Sequence, residues 1–412
     1  MSIDIKMAWR NIWRNPRRSI LTISAITFAC ILLVFMLSFQ FGSYEAMIKS
    51  AIMIHTGDLQ VQASGYHNDA NIRRVVTKPE AVGALLDKIP EVETYTFRGN
   101  AFSLVSSAER TYGVVVIGID PAREAVVSTL KSSIRKGSYF AENDDNQALI
   151  GDLLAHNLQV GPGDELTVLG QGRDGSIAAT VVKVKGIYSS GQDNFDRSFI
   201  HIPLKTFNDV YDMRGAVHEV VVIGKTLKTV PLINKAVLTG LNNIKNKYPL
   251  VALDWKELMP GLIQGIKIDL VSGLIFYFIL VIVVAFSILN TFLMAIFERT
   301  REFGVLMAIG TTPLRLTRLI MLESATMILV GITIGVIAGC LVTWYFQVNG
   351  ILMASSSEMM SQFGLPDRLY PQLSLLSVFA GPAVVFVITF ITALIPALKI
   401  RRLKPVEALT YV

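Results

Sequence analysis

Four stretches of this chain, Ser19–Phe41, Leu270–Phe297, Ser324–Gln347 and Gln372–Leu398, contain no formally charged residue. A helix rises ~1.5 Å per residue and needs roughly 20 apolar residues to cross a hydrocarbon core of ~30 Å, so each stretch is long enough to span a bilayer. Their spacing is uneven: residues 42–269, of ordinary mixed composition, separate the first from the second, and short loops join the rest. The expected fold is a polytopic α-helical membrane protein with four transmembrane helices (1+3) and a large mixed α/β extracytoplasmic domain between the first and second spans. The segments read as an amphipathic helix at 1–18, spans at 19–41, 270–297, 319–347 and 372–398, the large domain at 42–269, loops at 298–318 and 348–371, and a tail at 399–412.

Charge placement predicts sidedness. The first 18 residues, the loop after the second span and the tail together hold 13 basic against 5 acidic residues, whereas residues 42–269 hold 24 against 25. Basic residues mark the cytoplasmic face, which places both termini and the 298–318 loop inside and residues 42–269 outside. The pI of 9.2 is therefore no sign of nucleic-acid binding, because the large domain has no basic excess. Cys30 and Cys340 both fall within spans, so the outer domain has no disulfides to hold it and must rely on its core. The first span could also be read as a cleaved signal peptide, but its apolar run is too long and no A-x-A site follows.

At the N-terminus, Ile5, Trp9, Ile12 and Trp13 recur at helical spacing, with Lys6, Arg10 and Arg14 on the opposite face. The pattern predicts a helix on the membrane surface with its indoles at headgroup level, formed by Trp9, Arg10, Trp13, Arg14 and, beyond the break at Asn15-Pro16, Arg18. A plain topogenic anchor would show the same residues. Between the second and third spans, Glu298, Arg299, Arg301 and Glu302 accompany an apolar edge of Phe303, Leu306 and Met307, and Gly310 is placed to end the helix. Such a helix can lie passively at the interface or dock into a groove on a cytosolic partner.

Motifs favour docking. Ala8-Trp9-Arg10-Asn11-Ile12-x-Arg14-Asn15-x-x-Arg18, the run Glu298-Arg299-x-Arg301-Glu302-x-Gly304-x-Leu306-x-Ala308-x-Gly310 with Glu323 a dozen residues on, and Pro405-x-Glu407-Ala408-Leu409 stand in order along the chain. Together they resemble the FtsX-like ABC transporter permeases, and Ala148–Leu166 resembles the MacB-like periplasmic core domain. The resemblance implies a bacterial inner-membrane permease in which residues 298–310 form a coupling helix against a separate cytosolic ATPase. It also implies a dimer with a second permease copy or paralogue. No cofactor would be bound by this chain itself; ATP and its Mg ion would belong to the ATPase subunit. Gly57–Tyr66 and Asp196–Leu204 resemble permeases of the lipoprotein-releasing LolC/LolE type, which implies lipoprotein cargo and a periplasmic carrier. Efflux of a drug, peptide or lipid, and non-transporting regulation of cell-wall hydrolases, are the other functions such permeases serve.

The chain's near-matches to catalytic and cofactor motifs are each incomplete. Gly224-Lys225-Thr226 has Glu219 where a phosphate-binding loop needs its first glycine. Gly170-x-Gly172-x-x-Gly175 is followed by a strand pattern at Ile177–Val184 where a dinucleotide site needs a helix, so a hairpin turn is expected. His218-Glu219 has Val222 at the place of a second zinc-binding histidine, and Glu142, Asp144 and Asp145 lack the spacing of a calcium loop. In the outer domain, strands are predicted at Ile52–Ile54, Leu59–Val61, Tyr112–Ile119, Val181–Ile187 and Val217–Ile223, and helices at Pro79–Ile89, Pro121–Leu130, Asp152–Leu158 and Val230–Tyr248. Two lobes are expected, 42–120 with 215–265, and 121–214. Within the third span, Gly331, Gly335 and Gly339 form a smooth ridge that either joins two protomers or packs spans within one. Chain and resemblance together predict mechanotransmission, with ATP-driven motion relayed through the spans to the outer domain.

Overall fold

The computed structural model describes residues 3–141, 144–352 and 368–400, so the closing Pro405–Leu409 motif and Glu142 lie outside the described residues. The chain divides into two compact units, one within residues 46–265 and one built from the helical segments before and after it. Helix α1 (Ile3–Arg14) ends at Asn15, and α2 (Pro16–Ala51) begins at a proline, which has no N–H to give to a preceding turn. At 36 residues α2 outruns its charge-free stretch and continues through Tyr44, Glu45 and Lys49. Ile52–Ile54, expected as a strand, instead belongs to one π turn, Ile52–Thr56, closed by a bond from Gly57 N to Ile52 O (2.9 Å). The β-branched preference is overridden because the buried Arg98 guanidinium donates to the carbonyl of His55, fixing the turn from outside.

The extramembrane unit opens with β1 (Leu59–Ala63), α3 (Pro79–Leu86), β2 (Val92–Ser106), β3 (Thr111–Ile119), α4 (Pro121–Val127) and β4 (Ile134–Gly137). Next come β5 (Gln147–Gly151), α5 (Asp152–Leu158), β6 (Glu165–Gln171), β7 (Ile177–Tyr188), α6 (Asp193–Ser198), β8 (Phe199–Pro203) and α7 (Leu204–Val210). It closes with β9 (Glu219–Gly224), α8 (Val230–Leu241), β10 (Leu250–Asp254) and α9 (Trp255–Leu258). One mixed sheet joins the strands in the order β10-β1-β9-β2-β3-β8-β5-β7-β4, with β6 bridging β2 and β7. The sheet runs through both expected lobes: β3, from the first segment, pairs directly with β8, from the insert, and one apolar core draws Val75, Val105 and Val116 together with Leu154, Val182 and Ile202. A second core, Val61, Val82, Leu86, Val220, Val237 and their neighbours, lies under α3 and α8. The glycine-rich run 170–175 ends β6 and turns into the antiparallel β7, with Gly172 N bonded to Ser176 O (2.9 Å) and Gly175 at φ +98°.

His218 sits fully buried beside Tyr66, its Nδ1 accepting from Asn100 N (2.9 Å) and its Nε2 paired with Ile72 O (3.0 Å). Both ring nitrogens are thus satisfied only in the neutral form, and burial pushes the imidazole down to about 4. The unfolded chain binds a proton near 6.5 that the folded chain refuses until about 4, so this contribution is complete above pH 6.5 and is lost on acidification through that window. Between pH 6.5 and 4, unfolding of the full chain in detergent should lose about 3 kcal/mol of stability relative to a His218→Gln variant. Parallel pH profiles for the two proteins would contradict this assignment.

The other unit contains α10 (Pro260–Glu298), α11 (Thr300–Ala308), α12 (Pro313–Asn349), β11 (Ile351–Leu352), β12 (Arg368–Leu369) and α13 (Leu375–Ile400). Among the described residues, α2, α10, α12 and α13 are the four helices long and apolar enough to cross a membrane. Their shared core includes Ile26, Cys30, Leu33, Val281, Ile288, Phe292, Ile328 and Val385. Gly331, Gly335 and Gly339 face α2 of the same chain, where added Cβ atoms would lie 2.9, 2.6 and 3.1 Å from Ile26, Cys30 and Val34. Of the two arrangements the sequence allows for the ridge, this is packing within one protomer.

A candidate coupling site at one end of the spans

Helices α1 and α11, far apart in sequence, meet at the end of the bundle where α2 begins and α10 stops. Ser19 Oγ donates to Ile12 O (2.7 Å), holding α1 against the start of α2, and Ile12 is buried in the shared core. The apolar side of α1 is therefore divided: Ile12 turns inward, while Trp9 and Trp13 stay exposed with their rings edge to face at 6.1 Å. Arg10 is exposed beside them.

Three arginines and three glutamates clasp these elements together. Arg14 of α1 pairs with Glu302 of α11. Arg18 of α2 reaches Glu298 (3.4 Å) at the end of α10 and Glu323 (4.0 Å) in α12. Arg299 bonds Glu323 (3.2 Å) and Glu302 (3.4 Å), and its guanidinium lies 5.5 Å from the centre of the Phe303 ring. Burial decides which of these matter. The side chains of Arg14 and Glu302 are about half exposed, so that pair is worth at most ~1 kcal/mol, whereas Glu323 is 6% exposed between two largely covered arginines. Removing the Glu323 carboxylate would leave Arg18 and Arg299 short of a partner in a covered site, the arrangement in which loss is most costly. In the sequence Glu323 stands out only as the acid a dozen residues beyond the 298–310 run; its partners are not legible there.

The residues expected at the coupling interface separate into two faces of α11. Phe303 and Met307 are buried against Ile296, Leu316, Ile320 and Ala397, and Gly304 is covered with them. Phe303 and Met307, expected at the interface with a partner, lie at helical spacing with Thr300 on the side that seats α11 on its own bundle. Arg301, Glu302 and Leu306 face outward, joined by Val305 and Ile309, which sequence reading missed. The i, i+4, i+8 series Arg301, Val305, Ile309 was the available signal. Gly310, at φ +99° with open space around it, ends the helix, and Thr311 N bonds back to Leu306 O (3.0 Å).

Comparison with known families agrees with this arrangement of spans and domain. The profile described as MacB-like periplasmic core domain matches residues 19–237, and that of the FtsX-like permease C-terminal matches residues 274–405. A lipoprotein-releasing system transmembrane protein LolC from Xylella fastidiosa is 24% identical over 317 residues, 74% of each chain. The pyoverdine export ATP-binding/permease protein PvdT of Pseudomonas syringae is 25% identical over 98% of this chain and 59% of its own length. Among solved structures, the extracellular domain of the ABC-type transporter YknZ from Gram-positive bacteria aligns with 48% of this chain and all of its own, at 17% identity and a TM-score of 0.37.

Proposed function

We infer the work of this chain from its membership: it belongs to the FtsX-like permease family and carries the MacB-like periplasmic core domain. It is a membrane-spanning permease of the ABC transporter class, for which an ATPase is the implied partner. The proposed mechanism is mechanotransmission in the inner membrane, with both termini cytoplasmic and residues 46–265 periplasmic. The observation that carries it is the division of α11. Its inward face is anchored by Phe303 and Met307, its Glu302 pairs with Arg14 of α1, and Arg299 at its start meets Glu323 of α12, which also pairs with Arg18 of α2, so a push on the outward face, Val305, Leu306 and Ile309, is delivered to several helices at once. An apolar edge exposed on a short helix suits a groove on an ATPase.

The proposed cargo is lipoprotein. Similarity to LolC supports this, and so does an apolar cleft of about 550 Å³ between α2, α10 and α13, lined by Leu33, Leu37, Leu274, Phe278, Val281 and Val384. Tyr277 on its wall donates to Gln40 Oε1 (2.9 Å), and Gln40 and Tyr44 both bond Asp269. Such a cleft has the chemistry to hold an acyl chain. Export of a small molecule is the second reading, supported by the similarity to PvdT.

The double variant Leu306→Glu/Ile309→Glu should insert normally yet lose ATP-driven cargo release at least tenfold when reconstituted with the partner ATPase. Undiminished release would overturn the coupling assignment. Mass spectrometry of proteins co-purified with the complex should find acylated species enriched; their absence alongside working ATP-driven export would favour the second reading.

A further inference from the structure

A groove of about 630 Å³ opens between the first turns of α2 and the last turns of α10, lined by Asn15, Arg17, Leu21, Asn290, Thr291 and Met294, with Arg18 and Glu298 at its edge. The coupling mechanism leaves it without a task. Its position is set by the ends of two spans, α2 starting at Pro16 and α10 stopping at Glu298, so it lies where hydrocarbon gives way to headgroups. Its lining changes character over that distance. Asn15 and Arg17 stand at the rim, Leu21 and Met294 about one turn into the spans, and Thr291 and Asn290 a further turn along α10.

The charges at the rim are unequally committed. Arg18 is shared between Glu298 and Glu323, which leaves Glu298 compensated. Arg17 is exposed and, among the described residues, makes no ion pair or hydrogen bond. The uncompensated charge of the groove is therefore positive, carried by a guanidinium that matches two phosphate oxygens, with the amide of Asn15 two positions before it. The exposed indoles of Trp9 and Trp13 on neighbouring α1 are side chains suited to the same depth.

We propose that this groove binds one anionic phospholipid, its phosphate held by Arg17 with Asn15, and its chains running down over Leu21 and Met294. The occupant is a membrane lipid rather than free phosphate because apolar side chains continue from the polar rim into the span. The inference does not depend on the cargo or on the ATPase.

The test uses the purified full-length chain in neutral detergent, exchanged into defined lipid and examined by native mass spectrometry. Phosphatidylglycerol should be retained at least fivefold over phosphatidylcholine. Arg17→Ala should abolish that preference with the thermal midpoint unchanged, and Arg17→Lys should keep most of it. Arg318→Ala, which removes a positive charge at the start of α12, should leave it intact. Equal retention of the two lipids by the unaltered chain would overturn the proposal. So would an undiminished preference in Arg17→Ala, or an equal loss in Arg318→Ala, which would reduce the effect to general surface charge. Competition by inorganic phosphate at equal concentration would reassign the site to a free anion.

Discussion

Leucine in place of Gly335 should destabilise the helical unit by about 3 kcal/mol or more, the upper end of what overpacking costs. A Cβ at this position would stand 2.6 Å from Cys30 Cβ and 2.8 Å from Thr27 O, and the second of these is backbone that no rotamer change can move away. Removing a glycine from a helix interior normally gains roughly 0.5–1 kcal/mol of intrinsic helix preference, so the steric term decides the sign. Separation of the helices would also break the bond from Thr27 Oγ1 to Gly331 O (3.1 Å). Gly261→Ala is the matched comparison, because nothing lies within 4 Å of its added atom. Thermal unfolding in detergent should show a large loss for the first variant and none for the second. Equal midpoints would mean that α2 and α12 do not approach as described.

The second large effect is expected in the extramembrane unit. Arg98 and Glu124 are 1% and 2% exposed and bonded in two places, Nη2 to Oε1 at 2.6 Å and Nε to Oε2 at 3.1 Å. Truncating either residue to alanine leaves the other charged and buried, with an expected cost of about 3–5 kcal/mol. Replacing both at once, Arg98→Met with Glu124→Leu, should recover most of that loss, since two desolvated charges leave together. Arg98 also donates to the carbonyl of His55, so the single variants should exchange amide hydrogens faster through residues 52–57. Single variants as stable as the double would show that the pair is not buried in solution.

The four spans were legible because charge is excluded from hydrocarbon over a length that composition reveals directly. Their extensions were not: α2 continues to Ala51 through Glu45 and Lys49, where apolar runs give no signal. Strand β2 escaped notice for a different reason. Gly99-Asn100 at its centre reads as a turn, yet an added Cβ at Gly99 would stand 2.3 Å from the Phe207 ring, so the glycine makes room for an aromatic side chain rather than a bend. Helix α8, expected to reach Tyr248, stops at Leu241; beyond it the Asn246 side chain bonds the backbone of Thr77, Val75 and Tyr248 and draws the chain out of the helix.

At the candidate site, the alternation of acids and bases around Glu298–Glu302 could be read from sequence, but not which residues answer it. Arg14 and Arg18 lie 288 and 280 positions away from Glu302 and Glu298, beyond any local pattern. Apolar residues on α11 carried a similar ambiguity, since hydrophobicity does not distinguish a side chain that anchors a helix from one that awaits another protein. Only the packing of Phe303 under Ile296 and Leu316 divides them.

The same separation in sequence has a consequence for biosynthesis. At roughly 5–20 residues per second, a ribosome needs on the order of 15–60 s to travel from Arg14 to Glu302. During that interval the leading arginines have none of their eventual acidic counterparts available. Translation as far as Glu302 must precede closure of this end of the bundle, so truncated nascent products would emerge with their first helix held only by its local bond from Ser19 to Ile12.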